Sequence, residues 1–325
     1  MEKVRTQYAV HGGGTVSSLE YLAAFRNAGG DKDHPKGFNI VRHLDSSAIR
    51  EAEGANVLLD KVTARSGLAE LRAETASLHE TITDVESGDP SLQNAHNGAG
   101  RIQRAFKSWL SASRSFDDRT TAWLSKLVGK DDHAYTEFKR LLSEAYDSNF
   151  AYRLCCGLRN SSEHAGNVIN DLGFSVAQDP RTGDPKKELT IRFDGPKLAE
   201  EFPKMKALIR DELRAVDLSL ELEWIVGSVM LSCERIHAGL FQALWNRIEA
   251  AIELVEDYHH EALNAGGEWA VFISKPPEPT AVVQMDVAWN PWNIAQLARL
   301  NYDQTAAILA SPNHSQSWHD FAVEA

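Results

Sequence analysis

The chain of 325 residues has few cysteines, namely Cys155, Cys156 and Cys233. Two of them are adjacent and poorly placed to bridge each other, and at least one thiol stays unpaired in any scheme. This usage excludes a secreted disulfide framework and favours a reducing, cytoplasmic compartment. No Cys/His spacing typical of zinc occurs, so we predict that the thiols are buried small hydrophobes and that no metal is bound.

Long hydrophobic runs are also missing. The longest apolar runs are too short to span a bilayer, and charged residues interrupt them. The first six residues lack the apolar core of a secretory signal, so we expect neither export nor membrane insertion. Hydrophobic residues make up 43% of the chain and charged residues 25%, close to globular averages, which excludes global disorder.

Positive charge is in deficit, with 34 Lys and Arg against 46 Asp and Glu and a net charge of −12. Because phosphate contacts dominate nucleic-acid affinity, this balance excludes a dedicated high-affinity nucleic-acid binder but allows a nuclease with a local basic cleft. No Walker A sequence, dinucleotide fingerprint or Gly-x-Ser-x-Gly elbow occurs. We therefore predict no cofactor.

What the chain does contain is amphipathic helical periodicity, with apolar residues recurring at spacings of three and four. The predicted helices cover residues 48–85, 97–128, 133–172, 197–216 and 218–263. No helix of this kind can bury its apolar stripe alone, so the helices must pack against one another. The sequence predicts a mainly α protein built as an antiparallel helical bundle.

Short β-rich segments interrupt or flank these helices. Residues 174–177 and 189–193 predict a small β-hairpin insertion around a Pro- and Gly-rich turn. A strand is expected at residues 37–41 and a short helix at 17–27. The C-terminal segment is predicted to be β-rich and to have two parts. These are a hairpin of residues 268–273 with 282–289 and a short helix after Pro291.

Three segments follow from this pattern. Residues 1–45 are a mixed N-terminal segment, residues 46–263 are the helical bundle with its hairpin insertion, and residues 264–325 are the C-terminal hairpin and helix. The division rests on where helical periodicity begins at the Asp45 cap and where Gly266-Gly267 ends it.

One motif carries the residue types of a catalytic site, Arg159-Asn160-x3-His164, late in a predicted helix. Cleavage of RNA without a metal requires a base for the ribose hydroxyl and an acid for the leaving oxygen. His164 can serve in either role because the pKa of histidine lies near neutrality. Arg159 stays protonated, and its planar fork can stabilise charge that builds on the phosphate.

Helical geometry suggests how the motif would work. Asn160 and His164 share a helix face, whereas Arg159 lies about a hundred degrees round. We therefore expect Asn160 to orient His164 and Arg159 to reach in from the side, with Glu163 as a weaker catalytic candidate. One chain supplies a single histidine of this motif, so two copies across a two-fold axis would form a composite site.

The motif resembles the signature of the HEPN superfamily, an Arg separated from a His by four to six residues and commonly followed by Asn. The resemblance covers about residues 46–172. It implies a helical bundle, a homodimer and a metal-independent endoribonuclease, with Arg159 and His164 catalytic, in phage defence or a toxin-like stress response. Toxins neutralised by a nucleotidyltransferase antitoxin carry Tyr two residues after the His, where this chain has Gly166. We therefore do not expect a nucleotidyltransferase antitoxin as a partner, but a different regulatory protein partner stays open.

Basic side chains on the second long helix are candidate RNA contacts. They are Arg101, Arg104, Lys107 and Arg114. The alternative is that most of them belong to a solvated helix face.

The motif also allows an interpretation without chemistry. Arg159 and Glu163 are four residues apart and could form a surface ion pair, and His164 could be an ordinary hydrogen-bonded residue before Gly166. The chain would then be a non-catalytic helical interaction or sensor subunit of a larger assembly. The large acidic bundle and the C-terminal hairpin would be its docking surfaces.

Overall fold

A computed structural model of the chain describes residues 21–26, 37–63, 66–88, 92–162, 168–178, 185–215, 220–273 and 291–310. Most of these residues lie in α-helices, and the strands form two small antiparallel sheets of three strands each. The mainly helical class predicted from periodicity is therefore confirmed. Within the described ranges, no helix combines the length and the apolar character needed to cross a membrane.

The contacts between Cα atoms divide the chain into two compact units. The first unit comprises residues 1–64 and 244–304, and the second comprises residues 65–243 and 305–325. These boundaries differ from the predicted ones at residues 45 and 263. The last helix of the predicted bundle packs against strands of the first unit, and the first helix of the bundle packs against that last helix. Such packing is invisible to helical periodicity.

The first unit is built from strands and helices that are far apart in the sequence. They are β1 (Tyr21–Arg26), β2 (Gly37–His43), α1 (Ser46–Val62), α9 (Trp245–Asn264), β6 (Trp269–Ile273) and most of α10 (Pro291–Ala310). Strand β1 lies between β2 and β6 and is antiparallel to both. Helix α9 packs against α1, β1 and β6, and the core between them includes Leu22, Ala52 and Tyr258.

Two predictions for this unit need correction. The helix predicted at residues 17–27 is wrong for Tyr21–Arg26, which form strand β1 because both edges of the segment are paired, by β2 and β6. Strand β6 was predicted to pair within a C-terminal hairpin, but it pairs with β1. The other half of that hairpin, residues 282–289, lies outside the described residues. The predicted strand at 37–41 and the helix after Pro291 are confirmed.

The second unit is mainly helical. Its elements are α2 (Gly67–Ser87), α3 (Leu92–Leu127), α4 (His133–Ser148), α5 (Phe150–Ser162), β3 (Asp171–Gln178), β4 (Pro185–Phe193), α6 (Gly195–Glu201), α7 (Ala207–Ala215), β5 (Leu220–Glu221) and α8 (Leu222–Ala243). Strands β3 and β4 form the predicted hairpin, extended by a short third strand, β5.

The helices of this unit pack around a large apolar core. Helices α2 and α3 are antiparallel, because Gly67 lies beside Phe116 and Gly98 lies beside Val85 at the opposite end of the pair. Helix α5 contacts α3, α4, α7 and α8. Two core aromatics of α3, Phe106 and Trp109, are fully buried and stacked, with ring centroids 5.6 Å apart.

Several helices predicted as continuous are broken. The helix predicted at residues 48–85 is two helices, and α2 begins at an N-cap, Ser66, which accepts a hydrogen bond from the Ala69 amide at 3.1 Å. The helix predicted at 218–263 breaks at Leu244, where no side-chain cap is present. Both breaks coincide with the boundaries between the two units.

The helix predicted at residues 133–172 is also wrong in its extent. It breaks at Asn149 between α4 and α5, α5 ends at Ser162, and Asp171 already belongs to strand β3. Asn149 supplies the reason for the break, because its Oδ1 accepts a hydrogen bond from the Tyr152 amide at 3.2 Å and so caps the new helix.

Candidate functional site

Arg159 lies in the last turn of α5, with its side chain only 17% exposed. Its Nη1 donates a hydrogen bond to Oδ2 of Asp117 on α3 at 3.1 Å. Asp117 is 15% exposed, and its other oxygen accepts a hydrogen bond from the Tyr152 hydroxyl at 3.0 Å. One largely buried carboxylate therefore contacts an arginine and a tyrosine of the same neighbouring helix.

The heptad spacing of the two helices explains why these three side chains meet. Tyr152 and Arg159 are seven residues apart, two helical turns, so they lie on one face of α5. Asp117 lies seven residues from both Leu110 and Leu124, which are buried on α3. Asp117 thus occupies an interior position of α3 that faces α5.

Burial and neighbouring groups shift the pKa values of the side chains at this site. Burial raises the pKa of Asp117, although the charge and hydrogen bond of Arg159 oppose this shift. Burial lowers the pKa of Arg159, but neighbouring Cys156 and Asp117 raise it more, and it lies above the usual value for arginine. Burial also raises the pKa of Cys156 to about 11. At neutral pH the guanidinium is therefore charged and the Cys156 thiol is not.

The rest of the predicted motif is described only in part. Asn160 follows Arg159 in the last turn of α5. Glu163 and His164 lie outside the described residues. The predicted meeting of Arg159 with His164, and the alternative pairing of Arg159 with Glu163, therefore stay predictions. The described partner of Arg159 is an interior one, Asp117, unlike the partner in a surface ion pair.

The four candidate RNA-binding residues lie on α3, as predicted, but two of them are in ion pairs. Arg101 pairs with Asp84 at 3.0 Å and Arg114 pairs with Asp118 at 3.1 Å, and both pairs are exposed. Arg104 is exposed and Lys107 is half-buried. Any phosphate that contacts Arg101 or Arg114 would compete with a carboxylate of the protein itself.

Sequence reasoning missed the role of Asp117. Its neighbour Asp118 is exposed, whereas Asp117 is largely buried. The available signal was the heptad position between Leu110 and Leu124. The contact of the Tyr152 hydroxyl depends on Asp117, so no local pattern around Tyr152 predicts it.

The prediction of buried thiols is confirmed for two of the three cysteines. All three thiols are free, Cys155 and Cys233 are buried, and Cys156 is half-buried. Burial raises the pKa of both Cys155 and Cys233 well above the ordinary value for a thiol. Within the part of the chain that the structure describes, no three metal-ligating side chains come together as a metal site.

Comparisons with protein-family models, curated proteins and solved structures give no match. The chemistry of the site therefore rests on its own side chains. The described ones provide a fixed, permanently charged guanidinium at the end of α5, held by Asp117. Such a group can bind a phosphate or stabilise developing negative charge. It cannot transfer a proton, so a reaction at this site needs a separate acid and base.

Proposed function

We propose that this protein is a metal-independent endoribonuclease of the HEPN type, which acts as a homodimer with a composite Arg/His site. The observation that carries the proposal is the anchored guanidinium of Arg159, five residues before His164 in the sequence. An arginine held in one direction with its pKa raised is suited to a phosphodiester that gains charge during cleavage. A role in phage defence or a toxin-like stress response fits this activity.

In the proposed reaction, His164 of one copy removes the proton of a ribose 2′-hydroxyl. The 2′-oxygen then attacks the adjacent phosphorus, and the bond from phosphorus to the 5′-oxygen breaks. His164 of the second copy donates a proton to that leaving oxygen. Arg159 stabilises the added negative charge on the phosphate, and Asn160 orients the imidazole. A 2′,3′-cyclic phosphate and a 5′-hydroxyl are the expected products.

The basic residues of α3 and the net charge of the chain both affect how RNA would be bound. Arg104 and Lys107 on α3 are candidate phosphate contacts, while Arg101 and Arg114 would have to exchange their carboxylate partners for phosphate. The net charge of −12 opposes a polyanion at long range. We therefore expect weak, salt-sensitive RNA binding and specificity that comes from the cleavage step.

The decisive experiment compares wild type with His164→Ala on total RNA in the presence of a chelator. Wild type is expected to cleave RNA and His164→Ala to lose the activity, because His164 is the proposed base and acid of the reaction. His79→Ala is the matched control, since His79 is exposed on α2 and also follows an arginine, Arg72, at a comparable spacing. Equal activity of His164→Ala and wild type would contradict the proposal.

A second candidate function is a non-catalytic helical interaction or sensor subunit. The observation that favours it is the contact of Arg159 with Asp117, which joins α5 to α3 and needs no substrate to explain it. This hypothesis expects Arg159→Ala to lower the thermal unfolding midpoint and His164→Ala to change nothing. It also expects no RNA cleavage by wild type, so the same comparison separates the two functions.

A further inference from the structure

Asp117 is costly to keep charged where it lies. A carboxylate and a guanidinium both lose solvation on burial, and an apolar pair could join two helices as well or better. Position 117 is flanked at seven residues on both sides by leucines, so the helix offers an apolar environment there. Packing of α3 against α5 therefore does not by itself require an ion pair at these positions.

A carboxylate at this position can orient the side chains that donate hydrogen bonds to it. Oδ2 of Asp117 accepts from Nη1 of Arg159, while Oδ1 accepts from the Tyr152 hydroxyl. The tyrosine hydrogen bond restrains the rotation of the carboxyl group, and the carboxyl group restrains the direction of Nη1 of Arg159. Nη1 belongs to the planar fork of Arg159, which is the part of an arginine that binds phosphate.

From this geometry we propose that Asp117 is the positioning residue of the catalytic arginine, with Tyr152 holding Asp117 in turn. The inference rests on the proposed ribonuclease function, because positioning has a purpose only if Arg159 meets a phosphate. Asp117 acts through Arg159 and does not touch RNA. Its loss leaves the arginine charged but removes a contact that restrains the guanidinium.

A second ion pair on the same helix provides a matched control. Arg153 on α5 contacts both carboxylate oxygens of Glu212 on α7, and Arg153 also donates to the backbone oxygens of Tyr146 and Asp147. The Arg153 side chain is only 9% exposed. This pair joins two helices of the same unit but contains no residue of the motif, so Glu212→Gln reports the structural effect of losing a half-buried carboxylate that pairs with a buried arginine.

The test measures kcat and KM for RNA cleavage in chelator, together with the thermal midpoint, for wild type, Asp117→Asn, Tyr152→Phe and Glu212→Gln. Asp117→Asn is expected to lower kcat by on the order of 100-fold, because misplaced catalytic groups cost about that much, with little change in KM. Tyr152→Phe keeps every charge and should lower kcat by a smaller factor. Glu212→Gln should lower the thermal midpoint without lowering kcat.

Each other outcome is decisive. If wild type cleaves RNA and Asp117→Asn retains the wild-type kcat, the positioning role is overturned while the ribonuclease function stands. If Glu212→Gln lowers kcat as much as Asp117→Asn, the effect is general destabilisation and the positioning role is again overturned. If wild type cleaves no more than His164→Ala, both proposals fail. If Asp117→Asn does not fold, an unchanged kcat in Tyr152→Phe overturns the role.

Discussion

At the scale of single residues, the interior charges of the second unit are the main departure from an apolar bundle. Asp117 and Arg159 are largely buried and depend on each other, because each would be left as a poorly solvated charge without its partner. Exposed pairs such as Arg114 with Asp118 have water as an alternative partner. Removing one charge should therefore have very different consequences at the two places.

The first prediction compares these two pairs. Arg159→Gln is expected to lower the free energy of unfolding by about 2–3 kcal/mol, because Asp117 then stays buried without its cation. Arg114→Gln should lower it by about 0.5 kcal/mol or less, as for other exposed pairs. Urea unfolding at neutral pH measures both values. Equal losses in the two variants would contradict the burial argument.

A coupling measurement shows whether the interior pair acts as a unit. The double variant of Arg159→Gln with Asp117→Asn should lose less stability than the sum of the two single losses, because neither charge is then left alone. Strict additivity would mean that the two side chains do not stabilise each other in solution.

His259 supports a prediction on pH. It lies on α9 of the first unit and is buried, and burial, reinforced by neighbouring His260, lowers its pKa below the ordinary value of 6.5. A lowered folded pKa contributes stability that is fully present above pH 6.5 and is lost as the pH falls through the folded pKa. The wild-type free energy of unfolding should therefore fall on acidification below that pH.

His259→Gln should flatten this decline, since glutamine has no proton to bind. Denaturant unfolding at several values between neutral and mildly acidic pH measures the slope. His43→Gln, at an exposed position of the same unit, is the control and should leave the slope as in wild type. An equally steep decline in His259→Gln would show that another group causes it.

At the scale of elements, the junction of α4 and α5 determines where Arg159 lies. Asn149 caps α5 through its Oδ1, and its Nδ2 donates to the Ser228 carbonyl at 3.2 Å and to Ser232 Oγ at 2.9 Å. One amide side chain therefore ends one helix, begins the next and ties both to α8. The face of α5 that carries Tyr152 and Arg159 follows from this junction.

The third prediction concerns that junction. Asn149→Ala should lower the free energy of unfolding by about 2 kcal/mol, the sum of a lost cap and lost interior hydrogen bonds of about 1 kcal/mol each. Asp132→Ala is the matched control, because Asp132 caps α4 at the Ala134 amide and loss of a cap costs about 1 kcal/mol. Urea unfolding of both variants checks the difference, and a larger loss in Asp132→Ala would contradict it.

At the scale of the whole molecule, the proposed chemistry requires two copies of the chain, because each copy carries one His164 in the motif. The base and the acid of the reaction then come from different copies of the chain. The net charge of −12 on each copy sets a repulsion between them that salt weakens. A dimer must therefore be held by contacts other than long-range attraction.

The fourth prediction tests the second copy. When wild type is mixed with excess His164→Ala and allowed to exchange subunits, RNA cleavage should fall with the square of the wild-type fraction, because a mixed dimer lacks one of its two histidines. Cleavage rates across a series of mixing ratios give the curve. Excess His79→Ala should leave activity undiminished, and a linear fall with His164→Ala would indicate a site complete within one chain.

Much of the fold could be predicted from the sequence, because helical periodicity is a local property. The spacing of apolar residues predicted the region of α3, and alternating residues beside a turn predicted the hairpin of β3 and β4. The helix breaks were harder, because at Ser66 and Asn149 a capping hydrogen bond competes with the continued helix. The identity of Ser66 or Asn149 does not by itself show whether the helix continues or ends at that residue.

The sequence by itself determined the mainly helical class and the apolar stripes of the long helices. Tertiary structure alone decided that Tyr21–Arg26 form a strand, because that strand exists through its pairing with β2 and β6. It also decided that Arg159 faces Asp117, a residue 42 positions earlier on another helix. Contacts of this kind depend on how helices pack, and packing brings together positions that no local pattern relates.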